Sequence, residues 1–262
     1  MFKSALKKII LKTGYQVTKI QGNKPKTNAA EKVSYRYQVD GLEFDFIASN
    51  GTYAPWFEDE KFLKIYSEIK EHTLVDMYRC FELSELVENI HRLDDKAAII
   101  EIGVWRGGTA AIISNKLKAL NAKNTFFIAD TFTGVVKASE KDNQYKGGEH
   151  ADTSLEIVEN LLADKYDHLE TLIGIFPDET AGLIRHKEKF GLCHIDVDVY
   201  KSAKDIVDWI WDKLIIGGII IFDDYGFSSC TGIIKYVNEQ KSLKDRIILY
   251  NLNGHAIMIK VQ

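Results

Sequence analysis

Five short apolar runs alternate with segments of helical periodicity, and this alternation constrains the fold more than any other feature. The apolar runs predict strands over residues 97–104, 125–132, 169–176, 191–199 and 217–224. The segments between and after them predict helices over residues 108–120, 154–162, 178–187, 201–214 and 229–240. Such alternation builds a parallel sheet with helices on both faces.

The C-terminal part of the chain departs from this alternation. Two strand-like runs, 246–252 and 255–261, are separated by Asn253-Gly254, a dipeptide that predicts a tight hairpin turn. We therefore expect an α/β fold with a mostly parallel seven-stranded sheet that ends in an antiparallel hairpin. A dehydrogenase with a dinucleotide-binding fold does not usually end in this way.

Charge and cysteine content exclude some classes of protein. The formal net charge of the 262 residues is −4, so we expect no nucleic-acid partner. The three cysteines lie far apart and form no CxxC pair, which indicates a reducing compartment and predicts a cytoplasmic protein. No run approaches the ~18 apolar residues of a membrane span, so we expect no transmembrane segment.

The N-terminal part of the chain predicts a helical extension. Residues 1–15 carry apolar side chains at helical spacing opposite four lysines. A short helix of this kind packs on its own domain or on a second subunit, and binding to a membrane surface is the alternative. We assign residues 1–90 to an extension that supplies a lid, substrate contacts or dimer contacts, and residues 91–262 to the main domain. A homo-oligomer is therefore expected.

Three glycines lie at the first strand-to-helix turn of the main domain. Gly103, Gly107 and Gly108 allow a tight turn and close approach of a ligand, although their spacing is not GxGxxG. Glu101 before them suits an amino-bearing ligand, and Asp130 ends the second strand, where an acid accepts hydrogen bonds from ribose. Together they indicate S-adenosylmethionine, which contains a ribose, an amino acid and a sulfonium but no phosphate. The alternative is a simple turn with solvated acids.

Four aspartates lie at the ends of the fourth and fifth predicted strands. Asp196 and Asp198 lie in HIDVDVY, and Asp223 and Asp224 lie in GGIIIFDDYG. Ligands bind beyond the carboxyl ends of parallel strands, and buried carboxylates need a cation to offset their charge. We expect the first, third and fourth of these aspartates to bind Mg²⁺, with Ca²⁺ or Mn²⁺ as alternatives, and Asp198 to act as general base. The alternative is that the carboxylates cap the helices that follow.

Four motifs, in this order, resemble the macrocin O-methyltransferase family: EIGVWRGGT, IADTFTGV, HIDVDVYKSA and GGIIIFDDYG. The resemblance covers residues 73–240, and residues 72–90 are similar to the segment of the family that runs over the cofactor. It implies a Rossmann-like class I fold and metal-dependent methyl transfer from S-adenosylmethionine to sugar hydroxyls of macrolides and related glycosides. The arrangement is also similar, more distantly, to catechol O-methyltransferase.

The resemblance implies a role for each matching residue. The residues implied to contact the cofactor are Glu101, Gly103, Trp105, Thr109, Asp130, Thr131, Phe132, Gly174 and Phe176. Those implied to bind the metal are Asp196, Asp223 and Asp224. Asp196 and Asp198 are the implied catalytic residues, with Asp198 as the base.

The acceptor is left open by the sequence. Residues 1–70 match the family pattern at no clear point, and the polar loop 137–154 matches it poorly. His150 in that loop is expected at the surface, with contact to substrate as the alternative. The sugar could belong to an antibiotic glycoside, a nucleotide sugar or a surface glycan.

Other functions compete with a sugar O-methyltransferase. The first is a metal-dependent catechol-type enzyme, in which Lys201 rather than Asp198 could serve as the base. The second is a binding module that keeps the fold without catalysis. A dehydrogenase is a further alternative, against which the missing GxGxxG and the terminal hairpin both count.

Overall fold

The computed structural model describes residues 36–39, 42–45, 52–185 and 187–262. The chain divides into two compact units, Met1–Thr52 and Tyr53–Gln262. The described part of the first unit is an antiparallel pair of strands, β1 (Arg36–Val39) and β2 (Leu42–Asp45). The predicted N-terminal helix lies outside the described residues, so its contacts stay a prediction.

The second unit is built on a seven-stranded sheet. Its strands are β3 (Ala98–Ile102), β4 (Phe126–Asp130), β5 (Leu169–Ile173), β6 (Phe190–Ile195), β7 (Leu214–Phe222), β8 (Arg246–Tyr250) and β9 (Ala256–Lys260). Their order in the sheet is β5-β4-β3-β6-β7-β9-β8. β3 to β7 are parallel, whereas β9 runs antiparallel to both β7 and β8. The predicted sheet, including its terminal hairpin, is confirmed.

Seven helices are described in this unit. They are α1 (Pro55–Glu58), α2 (Glu60–Ile69), α3 (Met77–Leu93), α4 (Gly108–Ala119), α5 (Leu155–Leu162), α6 (Tyr200–Ile210) and α7 (Thr231–Gln240). The helix predicted over residues 178–187 is wrong, because the described residues of this segment form only a 3₁₀ turn, Ala181–Leu183. Thr180 and Gly182 are weak helix formers, which disfavours a longer helix. Within the described ranges, no helix has the length and apolar character needed to cross a bilayer.

The strands bury side chains on both faces. Ile100, Phe127 and Ile195 pack on one face together with α6 and α7. Ile99, Phe126 and other residues of alternating position pack on the opposite face with α3 and α4. Because both faces are covered, the parallel strands appear in the sequence as continuous apolar runs rather than alternating ones.

The terminal hairpin has a longer loop than its Asn-Gly signal predicted. Tyr250 pairs with Ala256, so residues 251–255 form the loop. Gly254 packs against Gly226, whose N–H donates to the Gly254 carbonyl at 2.8 Å, and a Cβ on Gly226 would lie 2.4 Å from the Gly254 Cα. This tertiary contact replaces a tight two-residue turn and brings His255 to the carboxyl end of β7.

Candidate active site

A cavity of about 270 Å³ lies beyond the carboxyl ends of the parallel strands. It is lined by most of the residues that the sequence predicted for the site: Gly103, Trp105, Thr109, Asp130, Thr131, Gly174, Phe176, Asp196, Asp198, Asp223 and Asp224. Glu101 and Phe132 are not brought to the cavity wall. The four aspartates and the glycine loop therefore meet in one site.

The glycine loop is held by Asp130. One carboxylate oxygen of Asp130 accepts hydrogen bonds from the N–H groups of Val104 and Trp105, at 2.8 and 3.0 Å. The other accepts from the N–H of Phe132 at 2.7 Å. Trp105 has a left-handed backbone, with a φ of 46°, which these bonds help to stabilise. Asp130 thus shapes the loop as well as lining the cavity.

Glu101 lies beneath the cavity instead of facing it. It is on the α3 side of β3, in register with His194 of β6, and is completely buried. Its Oε1 lies 2.9 Å from His194 Nδ1, while its Oε2 has no hydrogen-bond partner among the described residues. Phe132 likewise packs against the core on that side of the sheet.

Gly103→Ala is expected to destabilise the fold by about 2–5 kcal/mol. Gly103 has a φ of +84°, and a Cβ there would lie 1.7 Å from the Asp196 carbonyl oxygen. The left-handed backbone contributes about 1–2 kcal/mol and overpacking about 1–3 kcal/mol. Gly148→Ala is the matched control, because Gly148 has a φ of +88° but open space around its Cβ position. Equal urea midpoints for the two variants would contradict the close approach.

Three carboxylates converge at the ends of β6 and β7. Asp196, Asp223 and Asp224 place ligand oxygens within 4.8 Å of one another. Burial raises the pKa of both Asp196 and Asp224 well above the usual range, and repulsion from the neighbouring aspartates adds to this effect. An all-oxygen set in which Asp196 and Asp224 form no ion pair with a described cationic side chain fits Mg²⁺ or a similar divalent cation.

Asp198 reaches the same cavity by a turn. We expected it in a continuing strand, but β6 ends at Ile195 and Asp198 has a φ of 63°. Its N–H donates to Asp224 Oδ2 at 2.8 Å, which fixes this turn. Burial raises the pKa of the Asp198 carboxyl, opposed by a hydrogen bond with Tyr145 and by His150.

Lys201 is not brought to the cavity. Its side chain is 55 % exposed and pairs with Asp205, one helical turn further along α6. His150, which was expected at the surface, lines the cavity while its side chain stays 38 % exposed. Its Nε2 lies 4.0 Å from Asp198 Oδ2.

The loop that carries His150 is anchored to two helices. Buried Asp142 accepts hydrogen bonds from the N–H groups of Tyr200 and Ser139, both at 2.9 Å. The Thr231 hydroxyl donates to the Lys141 carbonyl at 3.0 Å. The loop therefore forms a fixed wall of the cavity above Asp198.

Several polar side chains of the site were missed by the sequence reasoning. Arg79 bonds to Asp223, and His255 Nε2 lies 2.9 Å from the other oxygen of the same carboxylate. Glu82 Oε2 lies 2.7 Å from His255 Nδ1. The signal available in the sequence was the spacing of Asp76, Arg79 and Glu82, which places three charged residues on one face of α3.

Comparison with known proteins identifies relatives of the chain. Residues 5–257 match the family described as Macrocin-O-methyltransferase (TylF). The similarity therefore extends beyond residues 73–240, and the expectation that residues 1–70 carry no match is wrong.

Two similar sequences are those of named O-methyltransferases. Mycinamicin III 3''-O-methyltransferase of Micromonospora griseorubida is 28 % identical over 199 residues, which are 70 % of this chain and 76 % of the relative. The second, from Streptomyces olivaceus, is named 8-demethyl-8-(2,3-dimethoxy-alpha-L-rhamnosyl)-tetracenomycin-C 4'-O-methyltransferase. It is 25 % identical over 187 residues, which are 67 % of this chain and 71 % of the relative.

A solved structure supports the fold. The O-methyltransferase NovP superposes with a TM-score of 0.62 at 24 % identity, over 73 % of this chain and 83 % of that one. The fold is thus that of the class I methyltransferases. The family match over residues 5–257, together with the named relatives, shows that the chain belongs to the macrocin O-methyltransferase family and is an O-methyltransferase.

Proposed function

We propose that the protein transfers a methyl group from S-adenosylmethionine to a hydroxyl of a sugar, with Mg²⁺ held by Asp196, Asp223 and Asp224. The observation that carries this proposal is the convergence of these carboxylates, Asp198 and the glycine loop on one cavity. A sugar acceptor is supported by the relative whose name includes a rhamnosyl group. The acceptor belongs to an antibiotic glycoside, a nucleotide sugar or a surface glycan.

The glycine-loop end of the cavity would hold the cofactor. Gly103 and Trp105, which both have a left-handed backbone, line the cavity, and Asp130 offers its remaining lone pairs to ribose hydroxyls. Gly174 and Phe176 line the same cavity from the end of β5 and would lie near the adenine.

Asp198 is the side chain suited to take the proton of the acceptor hydroxyl. When bound, S-adenosylmethionine supplies an electrophilic methyl group and the divalent ion lowers the pKa of the hydroxyl. Asp198 accepts the proton while the hydroxyl oxygen gains the methyl group, so S-adenosylhomocysteine leaves as the neutral sulfide. The raised pKa of buried Asp198 brings its basicity closer to that required near neutral pH.

The position of Lys201 bears on the catechol-type alternative. Its ammonium group pairs with Asp205 outside the cavity wall, whereas Asp198 lines the cavity beside Asp224. This difference favours Asp198 as the base.

Calorimetry tests the proposal directly. We expect S-adenosylmethionine to bind the purified protein, and sugar acceptors to bind with it only when Mg²⁺ is present. The titrations are repeated with EDTA and with a catechol as competing acceptor. Failure to bind the cofactor would overturn the proposal. Binding of a sugar acceptor that is unchanged in EDTA would retain the sugar acceptor but remove the metal from the proposal.

A further inference from the structure

We propose that Arg79 and His255 determine which cation the carboxylate cluster selects. They hold the two oxygens of Asp223, so that Asp223 offers a metal ion one oxygen at most, and this restriction favours Mg²⁺ over Ca²⁺. The inference rests on the metal site proposed above and assigns a role to two residues outside that set of ligands.

Arg79 is held firmly against one oxygen of Asp223. It is 4 % exposed, and its guanidinium forms a buried ion pair with Asp223 Oδ2. Its Nε donates to Asp76 Oδ2 at 2.8 Å, and its guanidinium carbon lies 4.7 Å from the centre of the Phe227 ring. A guanidinium fixed from three sides cannot leave the carboxylate without breaking several contacts.

His255 holds the other oxygen. Its Nε2 lies 2.9 Å from Asp223 Oδ1, and its Nδ1 lies 2.7 Å from Glu82 Oε2. His194 Nε2 approaches the same Asp223 oxygen at 3.5 Å. One oxygen of Asp223 therefore contacts a guanidinium, and the other lies close to two imidazoles.

The remaining carboxylates of the cluster are held differently. Asp224 Oδ2 accepts a hydrogen bond from the N–H of Asp198 at 2.8 Å. Among the described residues, no cationic side chain forms an ion pair with Asp196 or Asp224. The restriction on ligand oxygens therefore applies to Asp223 specifically.

This asymmetry matters because the two ions use carboxylates differently. Ca²⁺ takes six to eight oxygens and commonly binds a carboxylate through both of its oxygens, whereas Mg²⁺ requires octahedral geometry and keeps several waters. Two-oxygen ligation by Asp223 would bring the ion toward the positive charge of Arg79, and like charges repel strongly where water is excluded. The ion would also compete with His255 for the other oxygen. Asp223 is therefore limited to the single-oxygen contact that Mg²⁺ uses.

Calorimetric titration with MgCl₂ alone and CaCl₂ alone tests the inference without any turnover. In Arg79→Met, the freed oxygen should raise the affinity for Ca²⁺ relative to Mg²⁺ on the order of tenfold. Arg79→Lys keeps a cation at this position and should remain near the wild-type ratio. Arg92→Met is the matched control, since Arg92 lies on the same helix and is 70 % exposed.

His255→Gln provides a second route in case Arg79→Met does not fold, as judged by circular dichroism. It weakens the contact with Asp223 Oδ1 and should also raise the affinity for Ca²⁺ relative to Mg²⁺. A ratio that stays at the wild-type value in the folded variants would overturn the inference while leaving the metal site intact. Failure of wild-type protein to bind either ion would overturn both the inference and the metal part of the proposed function.

Discussion

Asp198→Asn is expected to lower kcat by about 10²–10⁴-fold, the usual contribution of a positioned general base. An amide of the same shape keeps the turn at Asp198 but cannot accept the proton of the acceptor. The backbone N–H of this residue still donates to Asp224, as it does in the wild type, so the metal and the cofactor should bind as before. Single-turnover methyl transfer and cofactor calorimetry on the same sample measure the two effects separately.

Asp208→Asn is a suitable control for that experiment. Asp208 lies on α6, pairs with Lys204 and is solvent-exposed, so its amide variant should turn over at the wild-type rate. If Asp198→Asn also retained the wild-type kcat, Asp198 would have no part in proton transfer.

Asp196→Ala is expected to abolish Mg²⁺ binding and with it detectable turnover. It removes one of three converging carboxylates, and the divalent ion is the group that activates the hydroxyl. In the wild type, Mg²⁺ at 100 times its Kd should stabilise the fold by about 2.7 kcal/mol. Thermal melts with and without Mg²⁺ should show this increment in the wild type and none in the variant.

The same variant carries a second expected result in EDTA. Because burial raises the pKa of Asp196 in the fold above its usual value, the unfolded chain releases this proton at lower pH than the fold does. Stability of the EDTA-treated wild type therefore falls as pH rises from the ordinary aspartate pKa toward the raised value. Asp196→Ala lacks this loss. The melting temperature of the variant minus that of the wild type should therefore be larger at pH 7 than at pH 4. An identical pH dependence would show that the carboxyl is not perturbed.

The sheet and most of the cavity wall could be predicted because their determinants are local. Apolar runs such as 217–224 mark strands buried on both faces, and the acids that follow them mark the carboxyl edge where ligands bind. The position of Glu101 was harder to predict, because its place beside Gly103 suggests the cavity. The alternation of β3 instead directs it to the buried side with Ile99.

The contacts that Arg79 and His255 make with Asp223 could not be predicted from local patterns. Arg79 and Asp223 are 144 positions apart, and Glu82 and His255 are 173 apart. The sequence around Arg79 and Glu82 does not indicate contact with Asp223 or His255, because these residues meet only when α3 packs on the sheet. The hairpin loop shows the same limit, since contact between Gly226 and Gly254 overrides the local preference of Asn-Gly for a tight turn. The expected homo-oligomer, cytoplasmic location and role of residues 1–90 stay predictions.

The position of His255 after the four aspartates along the chain also sets an order of events during synthesis. His255 leaves the ribosome 173 residues after Glu82, its partner on α3, and β9 must insert beside β7 before the imidazole can meet Asp223. A nascent chain that already contains all four aspartates therefore still lacks His255, which contacts one oxygen of Asp223. On the ribosome, the four aspartates are therefore present before the contacts around Asp223 can be completed, which happens only after β9 has emerged.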